Sequence, residues 1–404
     1  MKIAFETLGC KLNQAETESL ARRFSNAGHI LVKNVGDADI YILNTCTVTH
    51  TADSKSRHLI RQARRHNPNV RIIVTGCYAE RAPLELAKLI EVDLISGNGG
   101  KLTLLERLEA EAFLQPINYI NQGESSYRFR TRSFVKIQDG CSNFCAYCIV
   151  PYVRKNEKST PDVEIIDEIK QRITEGCQEI VLTGTRIGAY AFNGRQLKDL
   201  VKLILSETDI ARLRLSSLQP SEISTELLNL WQDKRLCPHF HLSLQSGCDV
   251  TLKRMARRYT IAEYEKIVAL IRSIVPKVAI TTDVIVGFPG ETDKEFLESM
   301  EFCRRLNFAR IHVFPFSPRL GTKAAQMQGQ IPEKIKKERI RIMINVAEKS
   351  VKQFREQFNG EEVDVLWEQQ AGTGVWSGVT GNYLRIHKYE NSDLANKLSS
   401  IKLD

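Results

Sequence analysis

Up to about residue 330 the chain alternates short apolar runs with amphipathic stretches, and that alternation limits the folds open to it. Strand-like runs at 3–5, 40–43, 70–74 and 92–95 are separated by helical stretches near 14–27, 53–66, 80–90 and 101–112. Strand–helix repetition needs crossover connections, so it predicts a mainly parallel sheet. The pattern resumes with strands expected at 133–137, 179–183, 211–215, 239–244, 279–286 and 309–314, and helices near 162–175, 196–206, 221–231, 261–273 and 292–305. Six such units are too few for a closed eight-stranded barrel, and an open (βα)6 barrel is expected. After 331 a charged helix runs from 332 to about 358. It is followed by strand-like pieces at 362–367, 374–380 and 383–387 with glycine-rich turns, the mark of a small antiparallel β-barrel. The expected fold is α/β. It comprises a Rossmann-like N-terminal domain over 1–125, the open barrel over 128–345 and the antiparallel barrel over 346–404.

Loops at the carboxyl ends of parallel strands share one edge of the sheet. Cys10, Cys46 and Cys77 each fall just after one of the N-terminal strands, so thiols far apart in sequence are expected to meet. By themselves they fit an auxiliary iron–sulfur cluster, a zinc site or scattered buried thiols. A second set, Cys141-Ser-Asn-Phe-Cys145-Ala-Tyr-Cys148, follows the first barrel strand. Three soft thiolates suit three irons of a cubane cluster and leave the fourth iron open. Zinc normally takes four ligands, and no cysteine or histidine follows Cys148 at short spacing. The chain has ten cysteines, no run of eighteen apolar residues, and a start that enters a strand without the apolar stretch of a signal peptide. This argues for metal chemistry over disulfides, a cytoplasmic location and no membrane partner. Cys177, Cys237, Cys248 and Cys303 match no ligand pattern and read as ordinary thiols.

The spacing of Cys141, Cys145 and Cys148 resembles the cluster loop of the radical S-adenosylmethionine (radical SAM) enzymes. The resemblance implies that the open iron chelates SAM and that reductive cleavage yields methionine and a 5′-deoxyadenosyl radical, with the three cysteines counted as catalytic. Tyr147 would then pack on the cofactor's adenine, unless it only fills the loop. Loops at strand ends offer further cofactor-binding candidates: Thr183 and Gly184, Ser216, Gln245, and Gly287 and Gly290, whose lack of a side chain lets backbone approach a ligand. The competing reading of these loops is turn chemistry alone.

Taken with Thr7-Leu-Gly-Cys10-Lys-Leu-Asn13, Leu43-Asn-Thr-Cys46 and Val74-Thr-Gly-Cys77, the whole chain is similar to the methylthiotransferases of the radical SAM superfamily. His241-Leu-Ser-Leu-Gln-Ser-Gly247, Thr282-Asp-Val-Ile-Val-Gly-Phe-Pro-Gly-Glu291 and Phe316-Ser-Pro-Arg-Leu-Gly-Thr322 add to the likeness. The resemblance implies two [4Fe-4S] clusters, one on Cys10, Cys46 and Cys77 and one on Cys141, Cys145 and Cys148, with SAM as cofactor and a C-terminal TRAM barrel. It implies sulfur insertion at C2 of a modified adenosine and methylation of that sulfur by a second SAM. Partners would be tRNA at position 37 of the anticodon stem-loop, an external electron donor and a sulfur donor. Thr183-Gly-Thr-Arg-Ile-Gly188 and Leu213-Arg-Leu-Ser-Ser-Leu-Gln-Pro220 resemble the group acting on threonylcarbamoyladenosine. Its carboxylate would suit Arg186, which could instead pair with an acidic neighbour. Arg154-Lys-Asn-Glu157 departs from the family's usual Arg-Gly, and only Arg154 and Glu157 are carried forward as substrate candidates.

The formal charge of +9 fits a polyanionic partner. Arg57, Arg61, Arg64 and Arg65, then Arg128, Arg130 and Arg132, are candidates for phosphate contact. Trp367, Trp376, Tyr383, Arg385 and His387 are candidates for stacking or phosphate contact in the C-terminal barrel. The plainer reading has charges that solvate a surface and tryptophans that fill a small core. Rival functions are the same reaction on isopentenyladenosine, methylthiolation of a ribosomal-protein aspartate, a non-catalytic iron–sulfur RNA-binding protein and a zinc RNA-binding protein.

Overall fold

The computed structural model describes residues 1–114 and 131–403; Arg128 and Arg130 lie outside them. The described chain falls into two units. One holds residues up to 114 with Gly140–Ser142 and Cys148–Glu157, and the other holds the remainder.

In the first unit five parallel strands, β1 (Lys2–Thr7), β2 (Ile30–Val32), β3 (Ile40–Thr45), β4 (Arg71–Gly76) and β5 (Leu94–Ser96), stand in the order β2-β1-β3-β4-β5. This is the doubly wound order in which the winding reverses between β1 and β3. Every residue of β3 is buried, as expected for a central strand covered on both faces. Alternate residues feed two cores. Ala4, Tyr41, Leu43 and Val74 pack on helix α2 (His50–His66), while Ile3, Ile40, Ile42 and Ile73 pack on α1 (Lys11–Asn26). The short edge strand β2 was not expected. The stretch read as one helix over 80–90 is two short helices, Cys77–Arg81 and Pro83–Leu86, because Pro83 cannot donate to the turn before it.

The second unit contains all six expected barrel strands: β6 (Arg132–Asp139), β7 (Glu179–Gly184), β8 (Arg212–Leu215), β10 (His239–Leu242), β11 (Ala279–Val286) and β12 (Arg310–Pro315). The third strand breaks at Ser216 and continues as β9 (Ser217–Leu218). Thus β8 pairs with β7 while β9 pairs with β10, and the parallel order runs on from β6 to β12. Among the described residues β6 and β12 do not pair, so the array is open. The two-residue strand Lys158–Ser159 pairs antiparallel with the end of β6. Helices Asp162–Thr174, Leu197–Glu207, Ile261–Ile274 and Asp293–Leu306 cover the array, the last two opened by Thr–Glu capping boxes.

A long helix, Glu333–Glu356, buries Met343, Val346 and Ala347 in the barrel core and leads into a four-stranded antiparallel sheet. Its strands are β13 (Glu362–Gly372), β14 (Val375–Thr380), β15 (Arg385–Tyr389) and β16 (Leu398–Lys402). Strand β16 escaped the sequence reading because four of its five residues are exposed and carry little apolar signal. The sheet rests on the amino ends of the barrel strands. Arg132 donates to Glu368 at 2.7 Å and Arg214 donates to the Gly381 carbonyl at 2.8 Å. The Arg214 guanidinium lies 4.3 Å from the Tyr383 ring centroid. Beneath them Glu179, fully buried, binds Arg214 and Arg212. No helix among the described residues is long and apolar enough to cross a membrane.

Candidate active site

Cys10 directly follows the loop after β1, Cys46 is the first residue past β3, and Cys77 is the first past β4. The first two therefore flank the reversal point of the sheet, where ligands of doubly wound folds bind. The three thiols are held by a side-chain lattice. Asn13, in the first turn of α1, donates to the carbonyls of Leu8 at 2.9 Å and Thr45 at 3.0 Å. Asn44 donates back to the Asn13 carbonyl at 2.9 Å and to Thr17 at 3.0 Å. A Cβ on residue 9 would stand 2.8 Å from Cys46 Sγ, so the chain passes that thiol with no room to spare. Cys77 packs with Ile149 and Val153, on the segment that runs on from Cys148. Asn98 Nδ2 reaches Cys77 Sγ at 3.7 Å and the Val153 carbonyl at 2.8 Å.

Among the described residues no three Cys, His, Asp or Glu side chains converge closely enough to ligate one metal ion. A zinc ion requires its donors about 2.0–2.3 Å from a single point. A cubane cluster gives each thiolate its own iron, so its sulfurs ring a larger volume. Cys10 and Cys77 both bear electrostatically on the Cys46 thiol, and an all-thiol set is the soft donor chemistry that iron–sulfur clusters take. Burial pushes the Cys46 thiol up to about 12; iron would have to displace that proton.

The second cysteine set lies on residues 141–148, and each part of that stretch is held within its own unit. Glu157 accepts from the Ser142 amide at 3.1 Å and from its hydroxyl at 2.6 Å. Ala146 donates to the Met255 carbonyl at 3.0 Å and accepts from the Ala324 amide at 2.8 Å. Tyr147 stands edge-on to Phe288, ring centroids 6.5 Å apart. Arg257 Nη1 approaches Cys145 Sγ at 3.4 Å, and its Nε donates to Tyr259, whose hydroxyl donates to the carbonyls of Ser243 and Leu244. Neither Arg257 nor Tyr259 was foreseen, because Arg257-Arg258-Tyr259 reads as an ordinary basic loop until the fold carries it back to a cysteine 112 positions earlier.

The expected cofactor loops all lie at carboxyl ends of barrel strands. Thr183 and Gly184 close β7, Ser216 fills the break between β8 and β9, and Gln245 follows β10 in a left-handed conformation, φ +70°. Such a backbone is costly for a residue with a side chain and is concentrated at functional sites. Gly287 and Gly290 follow β11, but their amides already serve the protein. Gly287 donates to Glu291 at 2.7 Å and Gly290 to the Gly329 carbonyl at 2.8 Å.

The substrate candidates are engaged with the chain itself. Arg186 binds Glu222 at 2.6 Å, the acidic neighbour allowed for above. Arg154 is buried against Glu16 and Asn13, and Glu157 holds Ser142, next to Cys141. Of the basic surface residues, Arg57 donates to Tyr78 and Arg64 to the carbonyls of Pro68, Val70 and Glu91, while Arg61 and Arg65 are exposed. Trp367 and Trp376 fill the core of the C-terminal sheet, and Tyr383 packs with Arg214 and His239 and accepts from Arg132 at its hydroxyl. That leaves Arg385 and His387 exposed on β15.

Residues 2–97 match the model of Uncharacterized protein family UPF0004, and residues 135–303 match that of the Radical SAM superfamily. A threonylcarbamoyladenosine tRNA methylthiotransferase of Bacillus subtilis is 36% identical, over 99% of this chain and 93% of that protein. One of Aquifex aeolicus is 41% identical over 91% and 92%. A tRNA-2-methylthio-N(6)-dimethylallyladenosine synthase of Desulfotalea psychrophila is 33% identical over 83% and 81%. Among solved structures, the radical SAM methyltransferase TsrM of Kitasatospora setae superposes with a TM-score of 0.59 at 15% identity, over 80% of this chain and 77% of that one, a likeness of fold.

Proposed function

The chain belongs to the radical SAM methylthiotransferases, and from that premise we propose the reaction and the residues that serve it. The protein is a tRNA methylthiotransferase that converts N6-threonylcarbamoyladenosine 37 to its 2-methylthio derivative, using two [4Fe-4S] clusters and SAM. When bound, these groups supply the electron, the deoxyadenosyl radical and the sulfur that the polypeptide cannot.

Cys141, Cys145 and Cys148 hold the cluster that binds SAM, and Cys10, Cys46 and Cys77 hold the auxiliary one. The observation that carries this assignment is the place of the N-terminal set. Cys10 and Cys46 flank the sheet's reversal point, and Cys77 packs on residues that continue directly from Cys148. The chain thereby ties the two cysteine sets together through one short covalent segment. Glu157 and the Ala146 backbone fix the 141–148 loop, and Arg257 directs an N–H toward Cys145. Residues 1–125 serve the auxiliary cluster, 128–345 the SAM chemistry and 346–404 the RNA. Exposed Arg61, Arg65, Arg385 and His387 are offered for phosphate contact. Thr183, Gly184, Ser216, Gln245 and Tyr147 bound the cofactor pocket. We further propose a cytoplasmic setting, an external one-electron reductant and an external sulfur donor.

Cluster-reconstituted protein, incubated without oxygen with SAM, a reductant and tRNA bearing either threonylcarbamoyladenosine or isopentenyladenosine at position 37, tests the substrate. Nucleoside mass spectrometry is expected to find the methylthio gain on the first tRNA. A gain on the second alone would transfer the protein to the isopentenyl group.

A further inference from the structure

The stretch Ser96-Gly97-Asn98-Gly99-Gly100 lies at the carboxyl end of β5, on the edge of the parallel sheet that also carries Cys10, Cys46 and Cys77. It makes a single turn, Asn98–Gly100, clasped to the short helix that begins at Cys77. The Asn98 backbone amide donates to Glu80 Oε2 at 2.9 Å, and Glu80 stands three residues after Cys77 on that helix. Gly97 lets the turn come this close, since a Cβ there would stand 2.2 Å from Glu80 Oε2. The Asn98 side chain then reaches back to Cys77 Sγ at 3.7 Å and to the Val153 carbonyl at 2.8 Å. All of these residues belong to one unit.

The partners fix which way that amide points. A carbonyl only accepts, so the group facing Val153 is the NH2 and not the oxygen. Asn98 Oδ1 is meanwhile buried and takes no hydrogen bond among the described residues. A buried acceptor left unpaired is costly, so the side chain is held here for its N–H groups. A neutral thiol is a weak acceptor, whereas a thiolate takes a charge-assisted bond. The contact therefore suits the ligated form of Cys77 better than the free one. The other two thiols are served from the backbone, Cys10 by the Asn13 amide and Cys46 by the Val48 amide. Each of the three thiols thus has an N–H donor, and the donor to Cys77 comes from a side chain.

We propose that Asn98 is a positioning residue of the auxiliary cluster, donating an N–H to the Cys77 thiolate and raising the reduction potential of the cluster that this thiolate ligates. Donors to cluster sulfur act in this direction because they stabilise the more negative, reduced state. The inference rests on the assignment of that cluster to Cys10, Cys46 and Cys77.

The test uses the full chain with Cys141, Cys145 and Cys148 changed to alanine, so that only the auxiliary cluster assembles. Its potential is read by EPR-monitored redox titration. Asn98→Leu keeps the size of the side chain and removes its N–H groups. It is expected to disfavour the reduced cluster about tenfold, about 59 mV for one electron. Asn98→Asp removes the same donors and adds a negative charge, and its potential is expected to lie below that of Asn98→Leu. Pulsed EPR of the reduced parent cluster, with asparagine carrying nitrogen-15 in its side-chain amide, is expected to show coupling to that nitrogen, absent in Asn98→Leu. The parent measurement needs no variant to fold. A parent cluster without that coupling, a coupling that persists in Asn98→Leu, or potentials in both variants equal to the parent's overturns the role of Asn98. A parent chain that binds no cluster overturns the auxiliary assignment, and the inference with it.

Discussion

Gly140, one residue before Cys141, is the position where the fold leaves the SAM-cluster loop least freedom. Its φ is +77°, and a Cβ there would stand 2.2 Å from the Asn156 carbonyl oxygen and 2.7 Å from the Glu157 amide nitrogen. Both are backbone atoms, so neither can swing away. The left-handed conformation alone costs an alanine about 1–2 kcal/mol. Relieving the contact to the 3.0 Å that Cβ atoms respect requires the two segments to part by about 0.8 Å. That displacement takes Glu157 out of reach of the Ser142 amide, now at 3.1 Å, and forfeits a hydrogen bond to a charged carboxylate worth about 1.5–3 kcal/mol. A fold stabilised by about 5–15 kcal/mol survives, while Cys141 loses its place. Gly360 is the control. Its φ is +78° and a Cβ there meets nothing within 4 Å, so Gly360→Ala bears the conformational cost without the clash. In anaerobic, reconstituted protein, release of 5′-deoxyadenosine from SAM should fall at least about thirtyfold in Gly140→Ala, as about 2 kcal/mol requires. It should stay near the parent rate in Gly360→Ala. Parent-rate SAM cleavage by Gly140→Ala, or an equal fall in both variants, would refute the reasoning.

Two further outcomes are expected. Arg257→Met removes the N–H that faces Cys145 Sγ at 3.4 Å; donors to cluster sulfur raise the potential, so the SAM-binding cluster should become harder to reduce and cleave SAM about tenfold more slowly. Equal potentials in variant and parent would count against that contact. Burial alone would raise the Glu179 carboxyl, but the Arg214 and Arg212 charges beside it prevail and hold it down to about 2. A depressed folded-state pKa stabilises above the unfolded value and loses that stabilisation as pH falls. Unfolding free energy should therefore drop by about 3 kcal/mol between pH 4.5 and 2 from this group. Glu179→Gln should flatten that part of the pH profile, and an identical profile would argue against the arginine cage.

The elements that set the chemistry were legible because they are periodic. Each barrel strand is a buried apolar run between amphipathic helices, and Cys10, Cys46, Cys77 and the 141–148 stretch each follow a strand. Strand order was not legible: nothing local in the chain says that the winding reverses between β1 and β3. The edge strand Ile30–Val32 is too short to declare a period, and Leu398–Lys402 is too exposed to show one. Long-range partners were the other blind spot. Arg154 looked available to a substrate because its carboxylate, Glu16, lies 138 residues away. Trp367 looked available for stacking because strand alternation does not say which face of a small sheet is its core.

The central claim is that the N-terminal thiols deliver sulfur while the loop thiols make the radical. Full-length protein with Cys10, Cys46 and Cys77 changed to alanine, reconstituted and given SAM, reductant and threonylcarbamoyladenosine-bearing tRNA, separates the two jobs in one assay. The account predicts that 5′-deoxyadenosine is still released while the methylthio nucleoside is absent from the digested tRNA. A methylthio nucleoside formed by that protein would contradict it.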